Sequence, residues 1–490
     1  MTDCYSGPVM SARRSARAGK QRRTWPQRIV IGAGVLVAFT CAVTATGLAY
    51  GKWKFDQVAH YQVELVQAAS GEPENFLIVG SDSREALDPD SPDADIFLNG
   101  ESGGARSDSM MVARIDPSSQ HVDLLSVPRD LWVTIPGGDP DEHHRINEAF
   151  AGGRQQLIET VEATLGIDIN HYVEVDFSGF KELVGAIDGV PTYFDTAWRD
   201  ANSGLDIKGE GCVTLNPEQA LAYARARHLQ FYDPETGEWE SDPTGDLGRM
   251  NRQQLLVVNA IDEAVSLELA NPAHLNSLIN VGVDNVGVDP GFTFDDMVSL
   301  AKAFADTNSE DIARHSLEIE DYRTDGGAAV LTLDSADSQP VLNIFRGLEP
   351  DEMTESMVTV DVVNGSGVSG QAQAVMDALV ASGFTAGEVG SDSTPVDATE
   401  IHHAPGAERA ADLVARHLTG GAVLVVDEDL DPLQITLVTG PDFTTVQQAA
   451  RPPVATDTAG GATSTTSSST TSTTIGHSAG DPAAEGIDCD

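Results

Sequence analysis

NFLIVGSDSR (Asn75–Arg84), GARSDSMM (Gly104–Met111) and LLSVPRD (Leu124–Asp130) decide how this 490-residue chain is read. Each sets charged residues against the end of an apolar run. Asp82 and Arg84 follow Phe76 to Val79, Arg106 and Asp108 precede the alternating run Met110 to Ile115, and Arg129 and Asp130 close Val122 to Val127. Rigid strands that end in short charged loops build a site at the rim of a sheet. Ser109 to Ile115 and His121 to Val127 are expected to pair as a hairpin, because Asp116-Pro117-Ser118-Ser119 between them are turn formers.

Downstream, Leu157, Val161 and Leu165 share a helical face, Tyr172 to Phe177 alternates as a strand, and Phe180 to Ile187 reads as a helix stopped by Asp188-Gly189. Strands that alternate with helices predict an α/β domain with a covered, mixed sheet. Pro217 opens a further helix behind the N-cap Asn216. That helix is expected to end near Ala224, since Arg225 and Arg227 share a face only on an extended segment. Asp246 to Arg249 begins another helix, with Arg249, Arg252 and Gln253 on one face. A cation in a first turn opposes the helix dipole, so an anion nearby is implied. A helix at 294–304, a strand at 328–333 and a helix at 339–345 close the domain.

The chain carries a net charge of -47, unevenly distributed. Arg13, Arg14, Arg17, Lys20, Arg22, Arg23 and Arg28 oppose one Asp in residues 1–28, and Ile29 to Tyr50 is 22 residues without a charge. That length suits a bilayer-crossing helix, with a signal peptide as the competing reading. The positive-inside bias keeps the basic arm cytoplasmic and places everything after Lys52 outside the cell membrane, in a single-pass topology. A nucleic-acid role for the arm is the less simple explanation, and the acidic exported part excludes nucleic acid as a partner. Residues 51–70 read as an amphipathic stalk, 71–348 as a first domain, 349–356 as a linker and 357–443 as a second domain. The second domain shows strands at 357–363, 384–389, 423–426 and 434–438 and a helix at 371–382. From 444 to 490 the Ser/Thr-rich composition cannot bury a core and is expected to be disordered or glycosylated. Cys212 and Cys489 are the two exported cysteines, which leaves one optional disulfide.

Several motifs are weighed against blander readings. Gly365-Ser366-Gly367-Val368-Ser369-Gly370 fits a dinucleotide fingerprint, but too few residues surround it, and a tight strand-to-helix turn explains it better. His143-His144 and His402-His403 lack a metal-ligand spacing and read as solvated histidines. Asp82 and Asp108 are either surface partners of Arg84 and Arg106 or, as two carboxylates without a histidine, ligands for Mg²⁺. Arg129, Arg225, Arg227 and Arg249 weigh toward a site, because guanidinium groups match phosphate oxygens bidentately. Mg²⁺ with several arginines is equipment for phosphoryl transfer. No ATP pool exists outside the cell, so the energy must arrive with the substrate, as in a lipid diphosphate of the same membrane.

GSDSR, RSDSMM, SVPRD, RINEAF, YARAR and GDLGRMNRQQ occur in the order seen in the LytR-CpsA-Psr family of cell-wall enzymes, and the chain resembles that family from Glu72 to Gly347. Met357 to Phe443, with VVNGSGVSG and GPDF, resembles the LytR-type C-terminal domain often attached to it. The resemblance implies an α/β/α fold with a polyprenyl lipid in an apolar cleft. It implies transfer of a glycopolymer phosphate from a polyprenyl diphosphate carrier to a peptidoglycan hydroxyl. By position, Asp82 and Asp108 match the Mg²⁺-associated acids, and Arg84, Arg106, Arg129, Arg225, Arg227, Arg249 and Gln253 match the diphosphate-binding positions. Asp82, Asp108, Arg106 and Arg129 are the expected catalytic group. Two departures from the pattern, the long acidic loop between Arg84 and Arg106 and an insertion from His228 to Asp246, are expected to border the acceptor side. A lipid-diphosphate hydrolase and a non-catalytic wall-binding or regulatory membrane protein are the alternatives.

Overall fold

The computed structural model describes residues 49–69, 71–81, 107–139, 142–266, 272–304, 312–334, 337–350, 352–391, 396–431, 433–451 and 489. The basic arm, all but the last two residues of the expected membrane helix, Asp82, Arg84, Arg106 and most of the Ser/Thr tract lie outside them. The chain divides into two units, Met1–Asp56 and Gln57–Asp490. The second holds every element discussed below.

Among the described residues, seven strands form the main sheet: β1 (Ala59–His60), β2 (Glu74–Ser81), β3 (Ser107–Asp116), β4 (His121–Val127), β5 (His171–Asp176), β6 (Val286–Val288) and β7 (Ile312–Ser316). Their order is β1-β6-β5-β2-β3-β4-β7. The sheet is mixed, with β2 parallel to β5, antiparallel to β3, and β3 antiparallel to β4. The predicted hairpin is present with its turn at residues 117–120, where Asp116 Oδ1 accepts from the Ser118 amide at 2.8 Å and Gln120 has φ 59°.

Alternation along β2 and β3 sends side chains to two different layers. Leu77 and Val79 face Val112 and Met110 across the pair, and this face packs on α1 (Arg154–Leu165) through Leu157, Ile158 and Val161 and on Leu342 and Phe345 of a C-terminal helix. Ile78, Gly80 and Met111 point to the other side. There α2 (Phe177–Ala186), α3 (Pro217–Arg225) and α4 (Gly245–Ser266) make the second helical layer, with α5 (Pro272–Asn285) packed on α2 and α6 (Phe294–Phe304) following β6. The result is the expected α/β/α sandwich. α7 (Gln339–Arg346) ends the domain.

The segment read as a stalk belongs to this domain from residue 59. β1 adds an edge to the sheet, Tyr61, Val63 and Leu65 pack against the core, and the Arg154 guanidinium lies 3.6 Å from the Tyr61 ring centre. Apolar residues at every second position favour such an extended covering strand over an amphipathic helix.

The second domain is a five-stranded sheet in the order β9-β8-β12-β10-β11, from β8 (Thr359–Asn364), β9 (Thr385–Ser391), β10 (Glu400–His403), β11 (Val423–Val426) and β12 (Gln434–Thr439). α8 (Gln371–Ala381) and α9 (Glu408–His417) cover one face through Val375, Leu379, Leu413 and Val414. β10 and α9 had no counterpart in the sequence reading. The GSGVSG stretch is a strand-to-helix turn, with Gly367 and Gly370 at φ 76° and 77°. His403 corrects the solvated reading of the histidine pair: it is buried, and its Nδ1 meets the Ala404 carbonyl at 2.8 Å. Residues 444–451 also belong to this domain, since Val446 bridges to Leu418 and Arg451 donates to the Ala415 carbonyl.

Candidate active site

Four strand ends meet at one rim of the main sheet. Gly80 pairs with Val175 and Ser109, Ser81 with Asp176 and Ser107, and Val127 with Met110. The pairing slips between Gly80 and Ser81, so Asp108 is the extra residue of a β-bulge. Bulges redirect a strand beside a site. Ser81 directly precedes Asp82 in the chain, so the two predicted acids follow paired backbone positions on adjacent strands. Asp82 itself lies outside the described residues, and of Asp108 the backbone alone is described.

Beneath this rim a cleft of about 370 Å³ opens between the sheet and α2, α3 and α4. One part is apolar, made by Ile78, Met111, Val175, Phe177, Phe180, Leu221, Leu256 and Val257. Gly80 keeps the floor low: a Cβ there would lie 2.2 Å from Ser109 Oγ. Arg129, Arg225, Arg227, Arg249 and Gln253, predicted from segments far apart in the sequence, all line this same cleft.

Each is held by a local device. Asn216 caps α3, its Oδ1 accepting from the Gln219 amide at 2.9 Å while Gln219 Oε1 accepts from the Asn216 amide at 3.1 Å. The helix ends one residue later than expected, at Arg225, and the chain turns extended at Ala226, so Arg225 and Arg227 both reach the cleft. The Arg225 guanidinium sits 5.1 Å from the Phe177 ring centre. Gln253 donates to the Ala224 carbonyl at 3.0 Å and Gln254 to the His315 carbonyl at 2.9 Å, which ties α4 to α3 and to the sheet.

The anion inferred beside the α4 N-terminus is in part internal. Asp246 Oδ2 lies 2.9 Å from Arg249 Nη2 and its Oδ1 lies 3.2 Å from Arg227 Nε, so one carboxylate joins two cleft arginines. Arg252 shares the helix face of Arg249 and Gln253 but does not line the cleft: it is buried, donates to the Ala226 carbonyl at 2.5 Å and pairs with Asp242 at 3.3 Å. Its hydrogen bonds anchor the turn that carries Arg227. Arg129 lies 3.4 Å from Asp130, whose other oxygen is 2.9 Å from Arg145 Nε.

Asp200, Asn202, Ser203 and His228 form a polar wall of the same cleft. The sequence reading missed the first three, whose only signal was a turn-forming Asp-Ala-Asn-Ser-Gly run. Asp200 is 1% exposed, and its carboxylate accepts from the amides of Arg227 and His228 at 2.8 Å each and from those of Asn202 and Ser203 at 2.8 and 3.3 Å. Burial pushes its pKa up, but the four amides outweigh that and hold it below the usual carboxylate range. The segment after Arg227 folds as a hairpin, Gln230–Tyr232 with Trp239–Ser241, which pairs with Trp198–Asp200 and extends this wall.

Cys212, on the strand Gly211–Leu215, is disulfide-bonded to Cys489. Among the described residues no group of three His, Cys, Asp or Glu side chains could hold a metal ion, and no helix is long and apolar enough to cross a membrane.

The α/β/α domain thus sets an apolar cleft and several arginines side by side at the rim of its sheet. The chain belongs to the LytR-CpsA-Psr family of cell-wall enzymes: the family model matches residues 42–345, and the model described as LytR cell envelope-related transcriptional attenuator matches residues 357–443. Similar curated proteins include the polyisoprenyl-teichoic acid–peptidoglycan teichoic acid transferases TagU of Bacillus anthracis, 31% identical over 50% of this chain and 70% of the relative, and TagU of Enterococcus faecalis, 29% identical over 50% and 71%. TagV of Bacillus subtilis is 34% identical over 39% of this chain and 46% of its own length. Among solved structures, the LytR-Csp2A-Psr enzyme from Actinomyces oris aligns with TM-score 0.47 at 21% identity, covering 60% of this chain and 97% of that one. TagT bound to LIIa-WTA aligns with TM-score 0.43 at 20% identity, covering 59% and 100%.

Proposed function

We propose that the protein is a membrane-anchored, extracytoplasmic phosphotransferase that moves a glycopolymer phosphate from a polyprenyl diphosphate carrier to a peptidoglycan hydroxyl. The observation that carries this is the convergence of Arg129, Arg225, Arg227 and Arg249 with Gln253 beside an apolar floor in one cleft. The prenyl chain lies on Phe177, Phe180, Leu221 and Leu256. The diphosphate is held by the arginines, which neutralise charge on the oxygens and orient the reacting phosphorus. Asp246 keeps Arg227 and Arg249 at a fixed spacing before the substrate arrives.

The acceptor hydroxyl oxygen attacks the sugar-proximal phosphorus. A new oxygen–phosphorus bond forms as the bond from that phosphorus to the bridging oxygen breaks, polyprenyl monophosphate leaves, and the hydroxyl proton passes to a neighbouring carboxylate or to solvent. Asp82 and Asp108 would hold Mg²⁺: two carboxylates without an imidazole are a hard-oxygen donor set, and the bulge at Asp108 lies at the strand ends that border the arginines. Such an ion supplies charge neutralisation on diphosphate oxygens.

The exported location is supported by the Cys212–Cys489 bridge, which belongs to an oxidising compartment, and by the basic arm that precedes the uncharged stretch Ile29 to Tyr50. Full-length protein given a polyprenyl diphosphate glycan, Mg²⁺ and peptidoglycan is expected to release lipid monophosphate and to link the glycan to the wall polymer. Release of lipid monophosphate at the same rate with only free glycan phosphate formed would instead establish a hydrolase. Calorimetric titration is expected to show Mg²⁺ binding that Asp82→Asn and Asp108→Asn each weaken.

A further inference from the structure

The cleft has three chemically distinct parts, and the transfer reaction so far uses two. The apolar floor suits the lipid and the arginines suit the diphosphate. The wall of Asp200, Asn202, Ser203 and His228 remains. We propose that this wall is the acceptor subsite, which takes a sugar hydroxyl of the wall polymer, with Asp200 as its positioning residue; the proposal rests on the phosphotransferase reading above.

Asp200 ties together two segments distant in sequence. One carboxylate oxygen gathers the amides of Arg227 and His228, and the other closes the turn that presents Asn202 and Ser203. A buried carboxylate with four amide donors is a rigid device, so Arg227, which faces the diphosphate, and His228, beside it in the chain, are set by a single group. Asn202 Nδ2 and His228 Nδ1 lie 3.0 Å apart. That contact joins the two segments at the mouth of the cleft and fixes the imidazole. The amide oxygen and the second ring nitrogen are the remaining polar atoms of the pair, and with the Ser203 hydroxyl they offer both hydrogen-bond donors and acceptors. A sugar diol needs such groups, and a phosphate does not. The hairpin of residues 230–241 pairs with the strand that ends at Asp200, and the Arg199 guanidinium stacks 3.9 Å from the Trp239 ring centre, which extends the wall outward for a polymer.

The test uses the full-length protein in detergent with a polyprenyl diphosphate glycan as donor and soluble peptidoglycan glycan fragments as acceptor. Asn202 and His228 are surface positions, so alanine there leaves the fold intact. His228→Ala and Asn202→Ala are expected to raise the KM for acceptor about tenfold, the size of a lost hydrogen bond. Donor affinity, from fluorescence titration without acceptor, is expected to stay within about twofold of wild type. Asp200→Asn is expected to raise both the acceptor KM and the donor dissociation constant, because it releases His228 and Arg227 together. An unchanged acceptor KM in both alanine variants, or a parallel loss of donor affinity, would overturn the subsite. Wild-type protein that binds no donor would overturn the phosphotransferase reading itself, a separate result from failure of the wall.

Discussion

At the sheet end remote from the cleft, His171 provides a quantitative pH prediction. It begins β5 and is 5% exposed, with Nδ1 3.0 Å from Asp289 and Nε2 3.6 Å from Glu74. Burial disfavours the imidazolium, but the hydrogen bonds and charges of the two carboxylates outweigh it and raise the pKa from 6.5 to about 9. A shift of that size corresponds to roughly 3 kcal/mol of folding free energy. Because the folded pKa lies above the unfolded one, this stabilisation is complete below about pH 6.5 and is lost as the pH rises through 9. Urea denaturation at half-unit intervals from pH 6 to 9.5, on wild type and His171→Gln, isolates it. The difference between the two proteins is expected to shrink by about 1.4 kcal/mol per pH unit at its steepest. Parallel stability curves for the two proteins would refute the imidazolium between Glu74 and Asp289.

Arg154→Ala removes the 2.6 and 3.0 Å bonds to Glu174, whose side chain is 5% exposed, and is expected to cost about 3 kcal/mol in denaturation because a buried carboxylate loses its cation. Gly179→Ala would place a Cβ 2.8 Å from Asn285 Cβ where α2 crosses α5, for a loss of about 1–3 kcal/mol and a displaced helix pair by crystallography. Asn216→Ala breaks the capping box of the helix that ends at Arg225, with an expected cost of about 1 kcal/mol measured by the same unfolding assay. A non-reducing peptide map is expected to recover Cys212 linked to Cys489, and free thiols at both positions in exported protein would contradict the bridge.

The rim of the site was readable because alternation and charge coincide there. The continuous apolar run at Phe76 to Val79 and the alternating run at Met110 to Ile115 announce strands, and the charges that border them announce their ends. Local signals also placed α3, through Asn216 and Pro217, and the stop at Asp188, which adopts φ 59°. Arg129, Arg225, Arg227 and Arg249 were grouped by their phosphate-binding chemistry and matched to diphosphate positions by the family motifs, since contacts over such separations leave no local pattern. Asp200 and Asp246 show what sequence reading loses. An acid before a turn looks like an ordinary turn former, and only the tertiary fold reveals that Asp200 collects amides from 27 and 28 residues downstream. The role of Arg252 was equally hidden: i, i+3 spacing puts Arg249 and Arg252 on one face, but only the fold shows that Asp242 and the Ala226 carbonyl take up Arg252 while Arg249 lines the cleft. α9 escaped notice because Glu408 to His417 follows a Pro-Gly pair in a segment already dense with turn residues.

The central claim is that the arginines in the cleft hold a lipid diphosphate for transfer. Glycan transfer from a polyprenyl diphosphate donor to peptidoglycan, measured for Arg129→Ala and Arg227→Ala beside wild type, tests it most directly. Both variants are expected to lose at least about a hundredfold in transfer rate while keeping the wild-type unfolding midpoint. Near-normal transfer in either would contradict the assignment.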